Sequence, residues 1–509
     1  LRLAAAALVV LTLAGCVTTV GTQRDGPAAS AADDWSVRAL PFGEGHNHSD
    51  PRQHAGLTTP NFQVVGYDPL LSPDYGMTTP GGYLCGDAKP VATGRQLAVV
   101  ESRSDVGFTV ADVTDPAHPR WLGELVMRRT HVYDVAVVPD GLHLVAVTSG
   151  FDNPDNGILV DPRANVGLEW RSACGTVPVA GATADPVPRP PGVLLIDISD
   201  PSKPTITDEW PIAGLGHSVV ATNATGRTYV VAANVATAGT DTFDVFDLLD
   251  TPLGARLEHL STVVPDLGTE EGTDLGGHSE AYLAVHPVTK KPLLYLQSRD
   301  HVWTYDFSDP RAPKELGSWT DFRPDRQGFS GSMHSLFPVA DAWSGRHYLV
   351  AGPEFGGHPT GVPSGIVWVL DDTDPARMHE VAAWTLPHDV EWSGEYMFST
   401  HYFAVVGKTL FVSTYHGGVW AVDLRGLADG RANASGLLLL PSVGVFEPAI
   451  ASPAPGAHPV RWSPTVEEVR PLPDGTMITF DSNSGLYAFR YDEAHPMPAP
   501  TPWPIKPLD

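Results

Sequence analysis

Apolar residues recur at every second position in short runs along most of this chain, and Gly, Pro, Asp and Asn break the runs. That period is the one a half-buried β-strand requires, and the breaks carry turn chemistry. Four stretches are one repeated unit: GFTVADVTDPAHPRWLGEL (107–125), GVLLIDISDPSKPTITDEW (192–210), HVWTYDFSDPRAPKELGSW (301–319) and GIVWVLDDTDPARMHEVAAW (365–384). In each, an alternating strand ends in an Asp-Pro turn, a second Pro often follows, and another strand ends on Trp or Leu. Asp accepts a hydrogen bond from the turn backbone, while Pro stops the strand and sets φ. Weaker copies at 241–260, 417–427 and 485–494 bring the count to seven.

A hairpin stands ahead of each copy, as in HVYDVAVVPDGLHLVAVTSG (131–150), HSVVATNATGRTYVVAAN (217–234) and MHSLFPVADAWSGRHYLVAG (333–352). Turn pairs such as Asp140-Gly141 and Gly226-Arg227 separate its two apolar strands. Hairpin plus unit makes four antiparallel strands, the blade of a β-propeller. The predicted fold is therefore all-β: a seven-bladed β-propeller of four-stranded antiparallel blades over 61–495. The last blade lacks a fourth strand after Tyr491, and NFQVVGYDPL (61–70) stands alone before the first. The N-terminal strand is thus expected to close the ring, which covers exposed sheet edges.

Composition narrows the functional classes. The chain has 509 residues, 50 Gly and 48 Pro, with 42% hydrophobic residues, which describes a turn-rich folded protein. A formal charge of -27 excludes electrostatic binding to nucleic acid and favours attraction of cations. No Walker loop, dinucleotide fingerprint, zinc-protease helix motif or Gly-x-Ser-x-Gly elbow occurs.

The start, LRLAAAALVVLTLAGCVTTV, has a short apolar run and then Leu13-Ala14-Gly15-Cys16. It resembles a secretion signal ending in a bacterial lipoprotein box. The resemblance implies a signal peptide at 1–15, lipidated Cys16, a flexible tether over 16–60, and a membrane-anchored protein exported to the bacterial cell envelope. Residues 496–509 form a C-terminal tail. Cys85 and Cys174 then remain, and in an oxidising compartment they could pair. Cys85 begins the channel strand of blade 1 and Cys174 sits in the long insertion 151–191; the expected disulfide would hold that insertion over the channel mouth.

The strand-plus-Asp-Pro units resemble the LVIVD repeat of secreted bacterial propeller proteins, over nearly all of 61–491. Aligning the hairpins places Cys85, His131, His217, His278, His334 and His401 at one point, the start of each blade's first strand, with a residue near Thr465 in blade seven. Second strands end on the same face and bring Glu101, Glu354 and His416 nearby. Imidazole nitrogen with a carboxylate suits Zn or Cu. The metal set is His131, His217, His278, His334, Glu354, His401 and His416, of which three or four neighbours would reach one ion. The densest run is His278, His334, Glu354, His401 and His416. The segments HSLFP, AGPEF, STHYF and STYHGG are similar to matching blades of LVIVD-type propellers, where His and acidic residues recur; this implies a shared site.

Long connections at the histidine end carry Glu270, Glu271, His358, His388 and Glu391, and Glu101, His388 and Glu391 are candidate proton carriers. Two functions stand open. One is an envelope lipoprotein holding a transition metal for oxidase or hydrolase chemistry. The other is a non-catalytic surface propeller whose loop-rich face binds a protein, a glycan or a small molecule, the histidines serving only to bond neighbouring blades.

Overall fold

The computed structural model describes residues 58–70, 83–102, 107–125, 127, 130–150, 191–212, 214–235, 241–266, 279–298, 300–320, 332–354, 366–386, 399–415, 417–431, 437–448, 465–481 and 485–497. These form seven sheets that follow one another in chain order, each with four antiparallel strands as its core. The first strands of blades 1 to 7 are Tyr83–Pro90, Thr130–Val137, Leu215–Ala224, Ser279–Val285, Ser332–Pro338, Phe403–Val406 and Val466–Pro471. Blade 5 gains a short parallel strand, Leu438–Leu439, outside His379–Trp384. Helix is limited to Arg425–Ala428 among the described residues. The chain is a seven-bladed β-propeller.

Closure follows the expected route. Phe62–Asp68 pairs antiparallel with Gly485–Tyr491, so the N-terminal strand becomes the outer strand of blade 7. Phe62 packs there against Phe411, Phe446, Phe489 and Tyr491, with ring centroids 4.9–6.3 Å apart. Aromatic contacts of this kind add to simple area burial.

The repeated Asp-Pro unit has a local cause. Two aspartates act in tandem, each accepting the N–H two residues on. In blade 1, Asp112 takes Thr114 at 3.0 Å and Asp115 takes Ala117 at 3.1 Å. Asp197 and Asp200, Asp306 and Asp309, and Asp371 and Asp374 repeat the pair in blades 2, 4 and 5. These side chains supply the acceptors that the turn backbone cannot find in the sheet.

The apolar faces meet between blades. Leu97, Phe108, Leu144 and Ile196 form the wedge between blades 1 and 2, and Val100, Ile478, Phe480 and Leu486 that between blades 7 and 1. At the rim, the outer strands of blades 1, 4 and 7 receive the Asp-Pro turn of the next blade, and glycine makes the space. A Cβ on Gly123 would lie 2.8 Å from Pro201 O, and one on Gly317 would lie 2.7 Å from Ala376 O. Because the obstacle is backbone, Gly317→Val is expected to destabilise the fold by about 1–3 kcal/mol, read as a lower urea midpoint with an unchanged slope. An unchanged midpoint would contradict this account of the blade junction.

Candidate metal centre

The first strand of every blade is a sheet edge facing the channel, so its outward N–H and C=O groups need partners from elsewhere. Interruptions in the ladder provide them. Register shifts between the first two strands fall at Leu84 and Cys85 in blade 1, Tyr133 in blade 2, His217 in blade 3, His334 in blade 5 and Glu467 in blade 7. In blade 6, His401 N and Tyr402 O both bond to Ser413. Setting two residues against one bends the strand and re-aims a side chain.

Neighbouring blades then latch onto one another. The Ser279 carbonyl of blade 4 accepts His217 Nδ1–H at 3.0 Å and Ser218 Oγ–H at 2.9 Å from blade 3. The Glu467 carbonyl of blade 7 accepts His401 Nδ1–H at 3.0 Å, Ser413 Oγ–H at 2.6 Å and Tyr402 N–H at 3.2 Å from blade 6. A carbonyl can only accept, so in both imidazoles Nδ1 carries the proton. In the neutral ring Nε2 then carries the lone pair, the state that a metal ligand requires.

The Nε2 atoms of His401 and His334 meet carboxylates. His401 Nε2 lies 3.7 Å from Glu354 Oε1 and 3.6 Å from Glu467 Oε2, and His334 Nε2 lies 3.7 Å from Glu354 Oε2. The ligand atoms of His334, Glu354 and His401 fall within 4.8 Å of one another, and all three side chains are buried. The His334 and His401 rings are 4.1 Å apart. His217 meets His334 edge to face at 5.3 Å although blade 4 separates their strands, so the side chains converge across the channel. Tyr415 donates its hydroxyl to Glu354 Oε1 and sets its ring edge-on to His401 at 5.3 Å. Its backbone has φ +51° and bridges to Val466 of blade 7 in both directions, at 2.8 and 3.0 Å.

Of the residues singled out in the sequence, His217, His334, Glu354 and His401 come together. His278 and His416 lie outside the described residues, as do Cys16, Cys174, Glu270, Glu271, His358, His388 and Glu391, and with Cys174 the expected disulfide. One position needs correction. His131 pairs with Ser149 in regular register, two residues before the bulge, so Tyr133 occupies the place equivalent to His217. In blade 7 the residue near Thr465 is Glu467, at the register shift. The error at His131 comes from counting along an unbroken strand, because a bulge shifts the count. Glu101 is buried where expected, with Cys85 N–H 3.5 Å from its Oε1.

No protein-family model and no curated protein sequence matches the chain. Many solved structures resemble it, among them the following two. A chain of the mitotic checkpoint complex is 12% identical, with 89% of this chain and 98% of that one covered, at a TM-score of 0.44. The Cps50 (Swd1) β-propeller domain of Myceliophteria thermophila is 11% identical, with 80% and 96% covered, at a TM-score of 0.42. The blade assignment rests on this chain's own strand pairing.

A second buried group, His286, His347 and Asp372, also meets the distance condition for a cation. Its chemistry points elsewhere. His286 Nδ1 accepts Val288 N–H and Thr289 N–H while Nε2 donates to the Asp372 carbonyl, so both nitrogens are committed to backbone. His347 donates Nε2–H to Val339 O at 2.6 Å and turns Nδ1 to Asp372 Oδ1 at 2.7 Å. This group clamps the hairpins of blades 4 and 5.

Beside the histidines runs a layer of acids. Asp87 accepts Val137 N–H, Asp134 accepts Val219 N–H and Glu280 accepts Leu336 N–H, each across a blade boundary at 2.9–3.0 Å. Arg470 bonds Glu468 at 3.0 and 3.1 Å and donates to Gly86 O, which joins blade 7 to blade 1. Loss of solvent pushes Asp134 up to about 6, Glu280 up to about 8 and Glu468 well above the usual carboxylate range, with Arg470 opposing in each case. Because these folded-state values exceed the unfolded ones, the stability involved is fully present below the unfolded pKa. It is lost as pH rises through about 6 and 8. Urea denaturation is expected to show lower stability at pH 9 than at pH 5, by an amount on the order of 2 kcal/mol, and Glu280→Gln should shrink the difference. A profile rising with pH would contradict the assignment.

Proposed function

We propose that this protein is a metal-binding β-propeller of the bacterial cell envelope, with a transition metal, zinc or copper, held at the channel by His334, His401 and Glu354. The observation that carries the reading is the pairing of latch and ligand in one ring. His401 spends Nδ1–H on the next blade and thereby turns Nε2 towards two carboxylates. A tetrahedral ion with bonds of about 2.0–2.2 Å separates its donors by roughly 3.3–3.6 Å, close to the spacings found. Three protein ligands leave a fourth position for water or substrate, where the ion acts as a Lewis acid or redox centre. Glu467, beside His401, is then the nearest carboxylate able to take a proton. His217 borders the same space.

Lipid attachment at Cys16 and membership of the LVIVD-repeat propellers belong to this reading, supported by the Leu13-Ala14-Gly15-Cys16 box and the Asp-Pro repeat. Export would place the loaded site outside the cytoplasm.

Elemental analysis of purified protein supplemented with zinc or copper is expected to find one bound ion. His334→Ala should lose it while keeping the far-UV spectrum and melting temperature near those of the parent; His401→Ala, which also removes the bond to the Glu467 carbonyl, should lose the ion, keep the far-UV spectrum and melt at a lower temperature. Tyr415→Phe, which removes the hydroxyl that orients Glu354, is expected to weaken binding by roughly 10–100-fold. Folded protein that binds neither metal would favour the surface module that engages a protein or glycan partner.

A further inference from the structure

His401 also faces a second set of donors. Cys85 Sγ, His401 Nε2 and a Glu467 carboxylate oxygen lie within 4.8 Å of one another, and all three residues are buried. A single oxygen organises them: Glu467 Oε2 is 3.6 Å from His401 Nε2 and 3.7 Å from Cys85 Sγ. An ion bonded tetrahedrally at about 2.3 Å to sulfur and about 2.1 Å to nitrogen and oxygen would space those donors at roughly 3.4–3.6 Å. Both observed edges come within a few tenths of an ångström. On the other side, His334 and His401 address different oxygens of Glu354. The two sets differ in donor chemistry, one being imidazole and carboxylate, the other adding sulfur.

An imidazole nitrogen has one lone pair, so His401 Nε2 can serve only one ion at a time. We infer that the channel centre has two mutually exclusive seats sharing His401: a nitrogen–oxygen seat with His334 and Glu354, and a thiolate seat with Cys85 and Glu467 that takes thiophilic ions. The inference rests on the metal-binding reading above and extends it to ion selection. Softness sorts the occupants: Cu(I), the softer ion, depends on the thiolate, while Zn(II) is borderline and is also served by imidazole and carboxylate, the donors of the other seat. On loading the thiolate seat, the Cys85 S–H bond breaks, a sulfur–metal bond forms and the proton is released to water, with no electron transferred. Tyr402, itself buried, packs against Cys85.

The test titrates reduced, full-length protein with Cu(I) and with Zn(II) against competing chelators, in the parent, Cys85→Ser and His334→Ala. Cys85→Ser is expected to weaken Cu(I) binding at least about tenfold and to leave Zn(II) within about threefold, and His334→Ala to do the reverse. In the parent, Cu(I) and Zn(II) should compete for a single equivalent, and Cu(I) should produce near-ultraviolet thiolate charge-transfer absorption. Equal losses of both ions in both variants would overturn the two-seat arrangement, as would Cu(I) binding without thiolate absorption. A thiol titration of the unreduced, denatured parent that finds Cys85 in a disulfide would overturn the thiolate seat in the exported state. Zn(II) binding with no Cu(I) site would sink this inference alone, whereas folded protein that binds neither ion would sink the metal reading with it.

Discussion

Every blade of a closed ring presents an edge strand to the central channel, and the unpaired backbone groups on those edges must find partners. This protein meets the requirement one junction at a time. Asp87, Asp134, Ser218 and Glu280 reach from blades 1 to 4 into the blade that follows each. Thr400 of blade 6 reaches back to the Pro353 carbonyl of blade 5, His401 and Ser413 bind the Glu467 carbonyl of blade 7, and Arg470 returns to Gly86 in blade 1. The apolar wedges between blades supply the bulk of the burial, and the latches fix how the inner strands stand relative to one another. The chemistry of the channel follows from that arrangement.

A histidine used as a latch is a different object from one that merely fills space. Giving Nδ1–H to a neighbouring carbonyl sets the tautomer, orients the ring and leaves Nε2 as the atom presented to the channel. His217 and His401 do this with blades 4 and 7. The two explanations that the sequence leaves open for repeated histidines, blade bonding and metal ligation, are therefore served by different nitrogens of one ring. Tyr415 shows the same coupling from the other side. Its left-handed backbone is held by two hydrogen bonds to Val466, and its hydroxyl meets Glu354. A non-glycine residue held at positive φ beside a buried His–Glu cluster fits the tendency of strain to collect at functional sites.

Much of the fold was legible before any coordinates. The D-x-[ST]-D-P turns announce themselves because two side-chain acceptors and a proline must stand at set offsets; four copies carry them, and with three weaker units the repeat admits few architectures. The closing strand was legible too, since an unpartnered strand at one end of the repeat matched a missing strand at the other. The site was legible only in part. His217, His334, Glu354 and His401 could be named from repeat alignment, but Tyr133 and Glu467 could not. A bulge adds a residue without leaving a turn signature; at Val466-Glu467-Glu468-Val469 its only trace is two adjacent acids that break the alternation. Tyr415 carried no signal at all, because its role depends on a backbone conformation and on a partner sixty-one residues away.

The claim on which this account turns is that imidazole Nε2 atoms from blades 5 and 6 point at one another and at Glu354 around an ion. Diffraction from crystals soaked in zinc, collected on both sides of the zinc absorption edge, tests it directly. The account predicts one anomalous peak in the channel at bonding distance from His334 Nε2, His401 Nε2 and a Glu354 oxygen, with His401 Nδ1 still on the Glu467 carbonyl. A channel without such a peak, or one whose imidazoles turn Nε2 to the backbone, would contradict it.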